Sequence, residues 1–287
     1  MGLPGGPDSL ALVAAAAAEG NDVRAVVIDH GLQEGSADVA QRAAGAAEEL
    51  GVPAEVVAVT VDAAPGVSVE AAARTARYAA LAAAAEAAGR DIWVAHTLDD
   101  QAETLLLGAL RGNPAGMADV SRLDTQDGPG VTLVRPILCL RRADTVGACA
   151  ELGLEPWHDP MNGDPAFRRV AIRQQILPAL AEIVGGDAAP ALARTARRVA
   201  ADQSLLAELA EVTPTSDCAT LATDPAPVRQ RSIIAWLRGH GVSPSGAQLA
   251  DTERLCTDWH SQGPVYVGGG VRVARRGGAL VLEPAER

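Results

Sequence analysis

The 287-residue chain contains no lysine: its 24 basic residues are all arginine, set against 36 acidic ones, for a formal charge of −12. That absence excludes the GK[ST] phosphate loop, Schiff-base chemistry, lysine-linked cofactors and ligases that carry nucleotide on their own lysine. Aromatic residues are only 2% of the chain, so its 48% apolar content rests on alanine, valine and leucine and favours helix-rich packing. Long apolar runs are missing too. The longest, residues 10–18 and 79–88, fall short of the roughly 20 residues that span a bilayer, and no positively charged, apolar leader follows Met1. These features predict a cytoplasmic protein with no membrane partner. The four cysteines, Cys139, Cys149, Cys218 and Cys256, show no CxxC or metal-ligand spacing, which disfavours a disulfide scaffold, a zinc ribbon or CxxC redox chemistry and leaves them as small buried hydrophobes. An acidic chain is a poor non-specific partner for polyphosphates, so DNA is not expected and an RNA would have to meet a local arginine patch.

Short β-branched runs alternate with alanine-rich segments over the first two-thirds of the chain, the pattern of an α/β fold with a parallel sheet and crossover helices. Strands are expected at residues 23–29, 54–60, 92–96 and 131–135, and helices at 9–19, 36–50, 69–88 and 99–110. In such sheets ligands gather at the carboxyl ends of the strands. Gly185 and Gly186 read as a linker, giving domains at 1–184 and 185–287. The second is smaller and mainly helical, with helices expected at 188–212, 227–240 and 245–260 and a short β ribbon over 265–283.

The polar loops carry the chemistry. Pro4-Gly5-Gly6-Pro7-Asp8-Ser9 places a glycine turn between a strand stub and a helix, where main-chain N–H groups can cradle phosphate and Asp8 can hold a divalent metal. On its own it reads first as an ordinary turn in which Asp8 or Ser9 caps the helix. His96-Thr97-Leu98-Asp99-Asp100-Gln101-Ala102-Glu103-Thr104 opens a helix after an apolar strand. Asp100 and Glu103, three apart, share a face that suits an ammonium group or a metal, or else form a capping box. Asp29 and His30 end another strand, Arg74 and Arg77 flank Tyr78 on a helix, and the stretch from Trp157 to Arg173 sets turn formers before Arg168, Arg169 and Arg173. Taken singly, His30 reads as a satisfied loop histidine and the two helix arginines as an exposed face.

Together these motifs resemble one family, the tRNA(Ile)-lysidine synthetases among the PP-loop ATP pyrophosphatases. The likeness runs from PGGPDS through IDHGL, the segment Arg74 to Tyr78, His96 to Thr104, Arg111-Gly112 and Arg135-Pro136-Ile137-Leu138 to the Asp159–Arg173 stretch, in that order. The resemblance implies a Rossmann-like (HUP) fold and ATP-dependent attachment of free L-lysine to C2 of the wobble cytidine in a CAU-anticodon tRNA(Ile), with Mg2+ as cofactor. It places Pro4, Gly5, Gly6, Pro7, Asp8, Ser9, Asp29, His30 and His96 around ATP and Asp8 on the metal. Asp100 and Glu103 would capture lysine, Arg74 would be an active-site cation, and Arg111, Arg168, Arg169 and Arg173 would face tRNA. Two alternatives stay open: another PP-loop tRNA-modifying enzyme, or a degenerate member that binds ATP or tRNA without turnover. Only Met1, Gly2 and Leu3 precede the loop, so the natural start is expected upstream.

Overall fold

The computed structural model describes residues 1–33, 35–62, 69–123, 130–159, 163–209 and 213–285. They form two compact units, the first made of Met1–Asp62, Val69–Leu107 and Gly116–Arg198, the second of residues 108–115 and 199–285.

The first unit is built on parallel pairing. Strand β1 (Ala25–Asp29) runs beside β2 (Ala54–Ala58), in register from Ala25 opposite Ala54 to Asp29 opposite Ala58. Strand β3 (Ile92–Trp93) pairs in parallel with β5 (Val131–Val134), and β4 (Val120–Leu123) adds an antiparallel edge to β5. The amino-terminal stub joins the halves: Val26 N–H donates to Met1 O, Leu3 N–H to Val26 O and Gly2 N–H to Trp93 O. Three residues thus stand in for a central strand. Beyond their reach β1 and β3 part around a groove of about 910 Å³ lined by Val26, Val57, Leu81, Ile92 and Trp93.

Helices cover both faces. α1 (Pro7–Ala18) and α2 (Ser36–Glu49) enclose one core with Leu3, Leu10, Val13, Ala25, Val27, Ala43, Ala44 and Ala47. α3 (Val69–Ala88) encloses the other with Val26, Leu81, Ala82, Ala85, Ile92, Val94, Val131 and Leu133. Ala25 and Val27 point one way and Val26 the other, the period-two alternation of a strand buried on both faces. Alanine at the contacts lets backbones approach closely with little side-chain entropy to lose.

Several expectations need correction. The strand predicted over 92–96 pairs only through Trp93, although Val94 N–H still bonds Val134 O, because the chain turns away to begin α4 (Leu98–Leu110). The antiparallel β4 and the helix α5 (Arg142–Glu151) were not foreseen. After α5 come α6 (Arg168–Ala171), a π-helical turn at Ile172–Ile176, α7 (Leu177–Val184) and the start of α8 (Ala189–Leu209). Gly185, at φ 70°, ends α7 in the left-handed conformation that glycine adopts without strain.

In the second unit, α9 (Cys218–Thr223), α10 (Ala226–Gly239) and α11 (Gly246–Thr257) pack on the antiparallel strands β6 (Val265–Gly268), β7 (Val271–Arg276) and β8 (Ala279–Pro284). The expected ribbon has three strands. Cys218 and Cys256, 38 positions apart, meet in its core with Sγ atoms 3.5 Å apart as free thiols. Sequence spacing gave no sign of that pair. Burial, reinforced by the Cys218 contact, pushes the Cys256 thiol up to about 12, so it stays protonated and inert. No single helix among the described residues is long and apolar enough to cross a membrane.

Candidate active site

Three helices of the first unit begin at one crevice. α1 starts at Pro7, with Gly6 as an N-cap that offers no side-chain oxygen, so its first N–H groups stay available. Asp8 does not cap the helix; Ser9 Oγ donates to Gly6 O at 2.9 Å. Gly5 sits at φ 86° against Ala43, and a Cβ on Gly6 would meet nothing within 4 Å, so the loop faces open space. α4 opens with a box between Thr97 and Asp100: Asp100 Oδ2 accepts from Thr97 N–H at 2.8 Å and Thr97 Oγ1 at 3.0 Å. Capping thus falls to Asp100 with Thr97 rather than with Glu103. α5 begins at Arg142, whose N–H donates to Asp99 at 2.7 Å. The α1 end, which carries no side-chain cap, and the Arg142 guanidinium border one cavity of about 820 Å³ and make an anion site.

That cavity is lined by Pro4, Gly6, Pro7, Asp8 and Ser9 from the loop and the start of α1, by Ile28 and His96 near strand ends, by Asp100 in the first turn of α4, and by Arg77, Tyr78, Arg142, Trp157 and Arg173. Corners distant in sequence do converge. Burial, more than the cations Arg135, Arg74 and Arg77, lowers the His96 pKa to about 4, so its ring is neutral at pH 7 and its buried Nδ1 has no partner. His30 also holds a buried, unpartnered Nδ1, contrary to a satisfied loop histidine, and burial together with Arg77 lowers its pKa. His96 lines the cavity and offers an unsatisfied ring nitrogen that fits a nucleoside, whereas Asp29 and His30 are not among the lining residues. Asp29 accepts from Gly31 N–H at 2.9 Å, and that bond with one from Ser36 holds its carboxyl below the usual range.

The family model for a PP-loop domain matches residues 1–180, and that for a TilS substrate binding domain matches residues 217–281. A tRNA(Ile)-lysidine synthase of Corynebacterium glutamicum is 49% identical over 294 residues, 98% of this chain and 89% of the relative. Another, from Nocardia farcinica, is 44% identical over 301 residues, 100% of this chain and 92% of the relative. The chain belongs to the tRNA(Ile)-lysidine synthase family. Its fold is shared more widely: the solved structure of the U34-tRNA thiolase NcsA from Methanococcus maripaludis with its [4Fe-4S] cluster superposes with a TM-score of 0.54 at 17% identity, covering 72% of this chain and 71% of that one. At that identity the likeness concerns fold alone.

The acidic pair of this lysidine synthase relative is not symmetric. Glu103 is fully buried under three guanidinium groups: Arg173 Nε lies 2.7 Å from its Oε1, Arg142 Nη1 3.3 Å from the same oxygen and Arg169 Nη1 3.8 Å from Oε2. Asp100 borders the cavity, its Oδ1 2.7 Å from Arg142 Nη2. Burial alone would raise the Asp100 pKa, but the Arg142 charge, the Thr97 bonds and His96 outweigh it and the net shift is downward. Both carboxylates are held in ion pairs, and only Asp100 meets the open space.

Arg142 escaped sequence reasoning. Its guanidinium reaches Asp8 at 3.2 Å as well as Asp100 and Glu103, while Thr145 Oγ1, one turn on, bonds Asp8 Oδ1. The available signal was the Arg-Arg-Ala-Asp run after Leu140, which marks a helix start; its distance in sequence from the other loops hid its place in the site. Arg74 lies on the exposed face of α3 with its guanidinium 4.9 Å from the Tyr78 ring centre, while Arg77 lines the cavity. Arg169 and Arg173 are drawn in by Glu103, Arg173 through the π-turn that re-aims its side chain. Arg168 is exposed on α6, and Arg111 belongs to the second unit, where its carbonyl accepts from Gly246 N–H at 3.2 Å. Pro160 to Asn162 of the Asp-Pro-x-Asn motif lie outside the described residues.

Asp8 also fits a magnesium ion of a particular kind. No group of three or more His, Cys, Asp or Glu among the described residues could hold a metal unaided. One carboxylate at a phosphate-sized opening suits an ion that keeps waters and completes its shell with phosphate oxygens.

Proposed function

We propose that this enzyme makes lysidine in two steps at the crevice of its first unit. ATP phosphate oxygens settle against the Gly5–Gly6 loop and the N–H groups of α1, and the base lies near Asp29, His30 and His96. The cytosine O2 of the wobble nucleotide attacks the α-phosphorus; a P–O bond forms and pyrophosphate leaves. The ε-amine of lysine then attacks C2, a C–N bond forms, the C2–O bond breaks, AMP leaves and the amine gives up a proton. Asp8 would hold a magnesium ion, which when bound would supply charge neutralisation for the pyrophosphate.

The chain's own groups divide the labour. Asp100 meets the lysine ammonium, and Glu103, withdrawn behind it, holds Arg142, Arg169 and Arg173 in place. Arg74 adds positive potential near the reacting pyrimidine. Arg168, Arg169 and Arg173 of the first unit contact tRNA phosphates as a local positive strip in an acidic protein, and Arg111 of the second unit makes a contact of its own. Residues 1–184 act as the catalytic domain and 185–287 as the tRNA-reading one, in the cytoplasm. The observation that carries this reading is the meeting of the uncapped α1 end, Asp8, Asp100 and Arg142 around one cavity.

The test measures AMP and lysine incorporation with ATP, L-lysine and a CAU-anticodon tRNA(Ile) transcript. AMP release that requires both lysine and transcript supports the proposal. ATP or transcript binding without AMP supports a binding-only protein, consistent with Pro4, which lacks an N–H to offer a phosphate. AMP release with sulfur transfer instead of lysine would place the chain among other tRNA-modifying chemistries.

A further inference from the structure

We propose that Arg142 closes the lysine position in the nucleotide-free enzyme and that ATP opens it, so that lysine binds productively only after ATP. The inference rests on the lysidine-forming reading and refines it.

The geometry begins with occupancy. The Arg142 fork spreads across three carboxylates, with Nε toward Asp8, Nη2 toward Asp100 and Nη1 toward Glu103 at 3.2, 2.7 and 3.3 Å. Asp100 Oδ2 is taken by Thr97 N–H and Oγ1, and Arg142 takes Oδ1, the remaining cavity-side oxygen. Glu103 offers no substitute, since it has no exposed surface and Arg173 and Arg169 already attend it. An incoming ammonium therefore competes directly with a tethered guanidinium for Asp100.

The same side chain has a better partner once nucleotide arrives. Arg142 and Asp8 line the cavity into which the Gly6 loop opens. Arg142 is the first residue of α5, so its backbone is fixed by the bond from its N–H to Asp99 while the side chain pivots. A guanidinium matches the oxygens of phosphate bidentately, and a triphosphate carries more negative charge than the single carboxylate it replaces. Drawing Arg142 toward the phosphates breaks its bond to Asp100 and frees Oδ1 for lysine. If the open arrangement is a tenth or less of the nucleotide-free population, apparent lysine affinity falls by about tenfold or more.

Arg142 is thus a positioning residue whose effect on lysine passes through Asp100. Calorimetric titration of L-lysine into the full chain, alone and saturated with α,β-methylene-ATP and magnesium, tests the order. Lysine should bind about tenfold or more tightly with the analogue, within the usual range of coupling between two sites. Arg142→Met should bind lysine without the analogue as well as the parent does with it and gain nothing further from it. In steady state its KM for ATP should rise while its KM for lysine at saturating ATP stays unchanged. Equal lysine affinity in the parent with and without analogue overturns the proposal, as does a raised lysine KM in the variant. No lysine binding under any condition, with or without transcript, overturns instead the lysidine-forming reading beneath it. Should Arg142→Met fail to fold by circular dichroism, the two titrations of the parent still decide, and Arg142→Lys, which keeps a cation without the fork, should show a reduced analogue effect.

Discussion

Each unit of the molecule buries an ion-pair cluster, and the two are built to different rules. In the second unit Arg229 and Glu253 meet one to one at 2.6 Å, and the remaining donors and acceptors are filled: Arg229 Nη1 donates to the Asp224 carbonyl and Gln230 donates to the other Glu253 oxygen. In the first, Arg142 is shared among Asp8, Asp100 and Glu103, and Glu103 among Arg142, Arg169 and Arg173. A saturated pair has one low-energy arrangement and serves the fold. A shared one has several of similar energy, and its members can change partners when a charged ligand enters. Multiplicity of partners, rather than burial, sets the cluster proposed for chemistry apart from the structural pair.

The strongest way to break that contrast is Asp8→Asn, which should lower lysine incorporation by at least about 10³-fold while leaving the unfolding midpoint nearly unchanged; a radiolabelled-lysine assay beside a thermal melt checks both, and a large melting shift would make Asp8 a structural ion-pair member. Next comes Arg229→Met, which strands Glu253 and should cost about 3–5 kcal/mol of stability in urea titration, with kcat of the remaining folded enzyme unaffected. A smaller effect belongs to His96. Its imidazole is neutral when folded down to about pH 4, whereas the unfolded ring takes up a proton below about 6.5. Its contribution is therefore whole above pH 6.5 and lost as pH falls from 6.5 toward 4. His96→Gln should remove that dependence, narrowing the stability gap to the parent by about 2 kcal/mol between pH 7 and pH 4.5; parallel urea curves at both values would refute it. Smallest is Cys256→Ala, with a loss of about 1 kcal/mol and no change in kcat by the incorporation assay.

Much of this arrangement was legible before any coordinates. Helix periodicity and alanine content located α3 at residues 69–88 to the residue, and β-branched runs located β1, β2 and β5 within two residues at each end. The glycine loop and the His96–Thr104 segment could be read because each follows a strand end, where local pattern and ligand site coincide. What stayed hidden depends on contacts across the chain. Arg142 lies 134 positions from Asp8 and 42 from Asp100, and nothing local in Arg-Arg-Ala-Asp separates a member of the shared ion-pair cluster from a solvated helix start. Asp100 and Glu103 looked equivalent because a shared helical face says nothing about which carboxylate is walled in. β4 was missed because its Val-Ser-Arg-Leu pattern is that of an edge strand, half polar and short.

The strand stub has a practical side for anyone engineering this protein. Leu3 is almost wholly buried, and its N–H bond to Val26 O is the last rung before the glycine turn. A polar side chain at that position would act as a wedge beneath α1 and slacken the glycine loop suspended from it, so changes meant to retune the loop are better made at Gly6, whose missing Cβ faces open space.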